Sequence, residues 1–216
     1  MIILDPGSAT NCANDYRLVH KIIDSIAHVD TWKHDVVIKW QLFKNVMYQG
    51  KKLPELEHDV FLYAKDYAAR YGYDTTASVF DEESLDFLLS TDPCFVKIAC
   101  REAMYPLMSS IPDNVPIIVS VDNVEKHNEF IDKYNVEAVL CCVPDYPAHP
   151  LVYENLFSGL LHYGISDHTD GSHKPLWYLY EKYKPVYYEC HFALPESTGL
   201  DAEDFARRPW QLKEIL

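Results

Sequence analysis

Short apolar runs, rich in β-branched residues, recur along the chain at the length of a strand. Eight stand out: "MIIL" (1–4), "VVIKWQLF" (36–43), "DTTASVF" (74–80), "FVKIAC" (95–100), "VPIIVSV" (115–121), "EAVLCCV" (137–143), "YGIS" (163–166) and "VYYECHF" (186–192). Runs of this size, bounded by polar or turn-forming residues, read as strands. Between them the apolar positions move to helical spacing. Leu18, Ile22, Ile23 and Ile26 form one face of a helix expected over Asp15–Ala27, with Asn14 as its N-cap. Leu56, Val60, Tyr63, Ala64 and Tyr67 do the same over Glu55–Tyr71. Leu85, Leu88 and Leu89 mark a helix over Glu82–Ser90, behind Asp81. Further helices are expected over Glu125–Tyr134, Val152–His162, Pro175–Tyr183 and Trp210–Leu216. Only "QGKKLPELEH" (49–58) reads as a loop.

Strand and helix alternating eight times predict an α/β fold with a parallel sheet, a compact (β/α)8 TIM barrel. The 216 residues give about 27 per unit, a trimmed barrel beside the roughly 250 residues that are typical. One domain over 1–216 is expected, and a domain of this size hides roughly 70% of its unfolded surface. An open doubly wound sheet is the alternative, but no GxGxxG follows the first strand.

Composition narrows the partners. Asp and Glu number 33 against 19 Lys and Arg, a formal net charge of -14. Such a surface repels phosphate backbones and anionic lipid, so neither nucleic acid nor membrane is expected as a partner. Any anionic ligand needs a local cluster of cations. The six cysteines form no CxxC pair, which predicts reduced thiols and a cytoplasmic protein. The start "MIILDPGSAT" lacks the basic region of a signal peptide. No apolar run approaches the roughly 20 residues of a membrane span.

The chemistry gathers where strands end, since a barrel builds its site from the C-terminal ends of its strands. Asp5 ends the first. Lys39 and Gln41 share one face of the second. Ser78 ends the third. Lys97 lies in the fourth, with Cys100, Arg101 and Glu102 just after it. Ser120 ends the fifth, and Tyr146 follows the sixth. Ser166, Asp167 and His168 end the seventh, inside "LHYGISDHTDG" (161–171). Glu189 and His191 share a face of the eighth. A lysine facing a core costs several kcal/mol unless it is paired or binds an anion. A single strand lysine can point outward at a helix edge. Two of them, opposed by Glu189 and His191, favour a pocket. His168 and His191 together would leave most positions around a metal open, which suits catalysis more than structural support.

These residues carry a resemblance. "GISDHTDG" followed by "YYECHFAL" resembles the SDHT and EKHF signatures of the sialic acid synthase family, which condenses phosphoenolpyruvate (PEP) with an N-acetylated amino sugar. "VIKWQLF" resembles that family's VKFQ strand, "ASVFDEESLDFL" its STPFD segment, "FVKIACRE" its KIASGE and "CCVPDYP" its HCVSEYP. The pieces occur in the family's order across nearly the whole chain. The resemblance implies a PEP-dependent transferase that makes a 2-keto-3-deoxy sugar acid from an N-acetylmannosamine-like amino sugar or related aldose. It implies a divalent metal on His168 and His191, manganese in the family, with magnesium or cobalt as alternatives. PEP would be held by Lys39, Gln41, Ser78, Lys97, Ser120 and Ser166. Asp5, Tyr146, Glu189 and Asp201 would face the sugar, and Glu102, Glu189 and Lys97 would be catalytic.

Departures are visible too. Cys100 and Arg101 replace the serine and glycine of KIASGE, and Pro144 precedes the tyrosine of the sixth segment. The first loop lacks the family's NHNGD. The resemblance implies a barrel lacking the family's C-terminal antifreeze-like domain, which elsewhere caps a neighbour's site with an arginine. Arg207 and Arg208, or Arg101, are the candidates to replace that cation, and a homodimer is a possible frame for it. Within "SDHTDG", Asp167 and Thr169 are expected to fix the loop and Gly171 to let the backbone turn away. Two other functions fit the same residues: a different metal-dependent aldolase or lyase, and a non-catalytic sugar-binding descendant.

Overall fold

A computed structural model describes residues 1–31, 34–48, 50–171 and 177–216. Eight parallel strands close into a barrel: β1 (Ile2–Gly7), β2 (Val36–Leu42), β3 (Asp74–Val79), β4 (Val96–Ile98), β5 (Ile117–Val121), β6 (Val136–Cys142), β7 (Gly164–Asp167) and β8 (Tyr187–His191). Neighbours pair in sequence order, and β1 closes the ring against β8, Ile2 beside Tyr188 and Asp5 beside His191. Each of the eight apolar runs became one barrel strand. Both faces of these strands are covered, which is why they read as nearly continuous hydrophobic runs.

The outward-facing residues pack against a ring of helices. Tyr16–Val29 buries Val19, Ile22, Ile23, Ile26 and Val29. Its N-cap is Asp15, whose side chain accepts from the Arg17 amide, and not the expected Asn14. Asn14 takes a left-handed conformation, and its amide group ties down Glu55 O and the Glu57 amide instead. Asp81 caps Glu82–Leu89 as expected, and Asn123 caps Val124–Lys133. His58–Ala69 is shorter than the expected segment, and Pro150–Leu156 stops six residues before His162. Of the helix expected from Pro175, the first two residues lie outside the described residues and Tyr178–Tyr183 is helical. Within the expected loop, Met47–Tyr48 and Lys51–Lys52 pair as a short hairpin. After β4 the connection is a nine-residue 3-10 segment, Glu102–Ser110, with Pro106 inside it. Proline removes a donor and crowds the preceding turn, so an α-helix is disfavoured there.

Inside the barrel the side chains form layers. Ile3, Val37, Phe95, Ile118 and Leu140 fill the lower part as a separate apolar cluster. Two residues further along the same strands stand Asp5, Lys39, Lys97, Ser120 and Cys142, facing a cavity. The period of two therefore carries each strand from an apolar plug to a polar floor on one face. Cys142 faces inward and Cys141 packs with the outer core, opposite faces as expected of neighbours on a strand.

Candidate active site

The cavity lies at the C-terminal ends of the strands and holds about 300 Å³. Its floor is an ionic network. The Lys39 ammonium sits 2.7 Å from Asp5 Oδ2 and 3.4 Å from Glu189 Oε2. Lys97 lies 3.7 Å from Glu189 Oε1 and donates to Ser120 Oγ at 2.8 Å. Ser166 Oγ donates to the same Glu189 oxygen at 2.7 Å. Gln41 donates to Asp5 Oδ2 at 3.1 Å and to Asp201 Oδ1 at 3.3 Å. Ser78 lines the cavity, its Cα in register with both Gln41 and Lys97.

Burial and charge pull against each other here. Burial pushes the Glu189 carboxyl up, but Lys39, Lys97 and the Ser166 hydroxyl outweigh it and bring its pKa down to about 2. Asp5 behaves alike: burial raises it, yet Lys39 and His191 leave it lowered. Burial also opposes the charge on Lys39, but Asp5 and Glu189 outweigh it and raise that ammonium. Lys97 is lowered, because burial and its neighbour Lys39 exceed the pull of Glu189. Asp201 is raised, by burial first and by Asp5.

Two imidazoles face each other above this floor. The His168 and His191 ring centroids are 5.5 Å apart. His168 Nδ1 donates to Val143 O at 2.8 Å, which leaves Nε2 as the free acceptor of a neutral ring. Burial, then the neighbouring His191, lowers the His168 pKa to about 3, so this ring stays neutral. His191 Nδ1 is buried and has no hydrogen-bond partner among the described residues, 3.7 Å from Asp5 Oδ2 and 3.6 Å from Asp201 Oδ1. A buried ring nitrogen with no partner and a neutral imidazole beside it suit a pair of metal ligands. Among the described residues no group of three or more His, Cys, Asp or Glu is arranged to hold an ion. Tyr146 stacks on His168 at 4.2 Å, and Phe205 packs edge-on to both Tyr146 and His191.

Thus Asp5, Lys39, Gln41, Ser78, Lys97, Ser120, Tyr146, Ser166, His168, Glu189, His191 and Asp201 meet in one cavity. Glu102 does not join them. It lies in the 3-10 segment with its side chain 83% exposed, and its carboxylate pairs with Lys126 at 2.9 Å. The expected mouth arginines also sit elsewhere. Arg207 is fully buried behind the site, where it meets Asp167 at 3.2 Å and donates to Thr169 O at 2.9 Å, with its charge over the Trp177 ring. Arg208 donates to Leu194 O at 2.7 Å. Asp167 accepts from the Thr169 amide at 2.8 Å and from the Tyr188 hydroxyl, so Asp167 and Thr169 do fix the loop. Gly171 serves close packing: a Cβ there would strike the Arg207 guanidinium and the Asp204 and Ala206 carbonyls. Sequence reading missed Phe205 and the inward role of Cys142. The alternation from Leu140 points to Cys142; nothing local points to Phe205.

Residues 21–215 match the NeuB family. A 111-residue segment is 29% identical to N-acetylneuraminate-9-phosphate synthase of Drosophila melanogaster and covers 47% of this chain but only 30% of that protein. Among solved structures, the sialic acid synthetase of Leptospira borgpetersenii superposes with a TM-score of 0.79 at 21% identity, covering 99% of this chain and 80% of that one. The spore coat polysaccharide biosynthesis protein SpsE of Bacillus subtilis gives 0.75 at 25% identity, with 99% and 65% covered. A DAHP synthase from Thermotoga maritima gives 0.64 at 14% identity, with 99% and 66% covered, which speaks for the fold alone.

Proposed function

The chain belongs to the NeuB family, and from that premise we propose that it condenses PEP with a sugar aldehyde, an N-acetylmannosamine-like amino sugar or related aldose, to form a 2-keto-3-deoxy sugar acid. One observation carries the proposal. Two buried lysines and the Ser166 hydroxyl converge on a single carboxylate, Glu189, directly beneath a pair of imidazoles, and Ser120 accepts from one of those lysines, Lys97. In this arrangement Glu189 occupies the anion site itself. A trianion entering among Lys39, Lys97, Ser120 and Ser166 takes over those contacts and releases Glu189 toward the second substrate.

The reaction balances without an external oxidant or reductant. The PEP methylene carbon bonds to the aldehyde carbon, water adds to the former enol carbon, and phosphate leaves. Lys39 and Lys97 neutralise the PEP anion and hold its methylene toward the aldehyde, which is catalysis by orientation and charge. A divalent ion on His168 and His191, manganese by resemblance, would supply Lewis-acid polarisation of the aldehyde oxygen. Asp201, whose carboxyl burial raises, lies 3.6 Å from the His191 ring and accepts from Gln41, and it would orient the sugar there. Glu189, once freed, is positioned to hold the open-chain sugar. With Glu102 turned outward onto Lys126, the reaction is assigned no proton acceptor there.

The test is phosphate release from PEP with Mn2+ and a panel of N-acetyl sugars and simple aldoses. The expected result is turnover that needs both substrates and is lost in His168→Ala and His191→Ala. Lys97→Met should weaken PEP binding at least tenfold, about 1.4 kcal/mol. Condensation with pyruvate in place of PEP would assign the site to an aldolase instead. Binding of a sugar with no turnover of either would leave a sugar-binding protein.

A further inference from the structure

Among the described residues three Lys and Arg side chains line the cavity, and they are not equivalent. Lys39 and Lys97 are buried and share the Glu189 carboxylate. Arg101 stands three residues beyond the end of β4, at the exposed rim, and its guanidinium has no carboxylate or hydrogen-bond acceptor among the described residues. It lies over the Phe80 ring at 5.3 Å. Stacking uses the face of a guanidinium and leaves the N–H groups in its plane free for a planar, bidentate acceptor. The adjacent Glu102 would be the obvious partner, but Lys126 draws it away at 2.9 Å. Asp5, Glu189, Asp201 and Glu203 also line the cavity, so a second anion entering it meets repulsion unless a cation is reserved for it.

Resting on the function proposed above, we infer that Arg101 is a specificity residue for the acceptor, binding a phosphate or carboxylate at the end of the sugar remote from its aldehyde. Depth separates the two anions. PEP belongs with the buried lysines of the strands, while Arg101 sits in the loop layer above them, over Phe80, and lines the same cavity as Tyr146. Arginine is suited to this task because its fork makes two parallel, charge-assisted hydrogen bonds to one phosphate or carboxylate. Phe80 holds the fork in place, so little side-chain freedom is lost on binding.

The experiment is a titration of the full chain, with and without PEP, by an N-acetylhexosamine 6-phosphate, its unphosphorylated parent, a hexuronate and inorganic phosphate. The wild-type protein should bind the 6-phosphate or the hexuronate at least tenfold more tightly than the neutral parent, and the better of the two identifies the anion. In Arg101→Ala that preference should collapse at least tenfold, and Arg101→Lys should restore part of it. Equal binding of charged and neutral sugars by the wild-type protein overturns the inference. So does a variant that loses PEP rather than sugar phosphate, since Arg101 would then serve PEP. If the charged sugar binds through Arg101 and yet no phosphate is released from PEP, the anion subsite stands and the proposed reaction falls.

Discussion

Ile3, Val37, Phe95, Ile118 and Leu140 on one side, and Asp5, Lys39, Lys97, Ser120 and Cys142 on the other, belong to the same five strands and their edges, two positions apart. The lower set is sealed by contacts that ask nothing of a ligand. Burying each such aliphatic or aromatic side chain contributes roughly 1.5–3 kcal/mol. The upper set carries desolvated charges, which mutual pairing offsets only in part. The lower layer therefore sustains the barrel, and the upper layer spends stability on a site that is better satisfied when an anion arrives. Substitutions in the two layers should differ in kind as well as in size.

The sharpest break comes from below. Phe95→Ala should destabilise the protein by about 3–5 kcal/mol in urea unfolding, the usual cost of an aromatic cavity, and added phosphate should not repair it specifically. A loss under about 1 kcal/mol would show that the lower layer is not the anchor described here. Glu189→Gln should cost about 3 kcal/mol, because it leaves Lys39 and Lys97 buried without their shared charge. Here inorganic phosphate should restore Tm, and by more than it raises the wild-type value. Equal shifts in both proteins would mean that phosphate does not enter among the lysines.

The smallest effect is one of pH. The folded His168 has a pKa of about 3, below the 6.5 of an ordinary imidazole. Between those values the unfolded chain takes up a proton that the folded chain refuses. The metal-free protein should therefore lose stability as pH falls from 6.5 toward 3, with a slope of at most about 1.4 kcal/mol per pH unit from this group. His168→Asn should remove that part of the slope in thermal melts across pH 4–7. An unchanged slope would place the acid sensitivity elsewhere.

The strands were legible because apolar runs and period-two alternation reach the interior directly. Spacing alone put Lys39 with Gln41, and Glu189 with His191, on shared faces, the cost of burying two strand lysines turned those faces inward, and the cavity contains all four. What alternation does not govern was harder to read. Glu102 lies beyond the end of β4, where a 3-10 segment containing Pro106 turns it outward to Lys126. Arg207 was expected at the mouth of the site, but Asp167, 40 positions away, makes its burial possible. The hairpin strands, Met47–Tyr48 and Lys51–Lys52, are two residues each, too short for any period to show.

Closure of the ring has a consequence in time. Ile2 pairs with Tyr188, and the amino group of Met1 donates to Val186 O across 185 positions of chain. A ribosome delivers β1 before the other strands of the barrel and β8 after them, so one edge of β1 waits without its partner until all the others have been made. Contacts this distant in sequence form slowly, and an unpaired strand edge is a template for unwanted pairing. His191 follows the same schedule: it lies at the end of β8, and its carbonyl accepts from the amide of Arg207, which emerges still later. The second imidazole thus takes its place among the last events of assembly, and a nascent barrel cannot present the complete pair before its wall is shut.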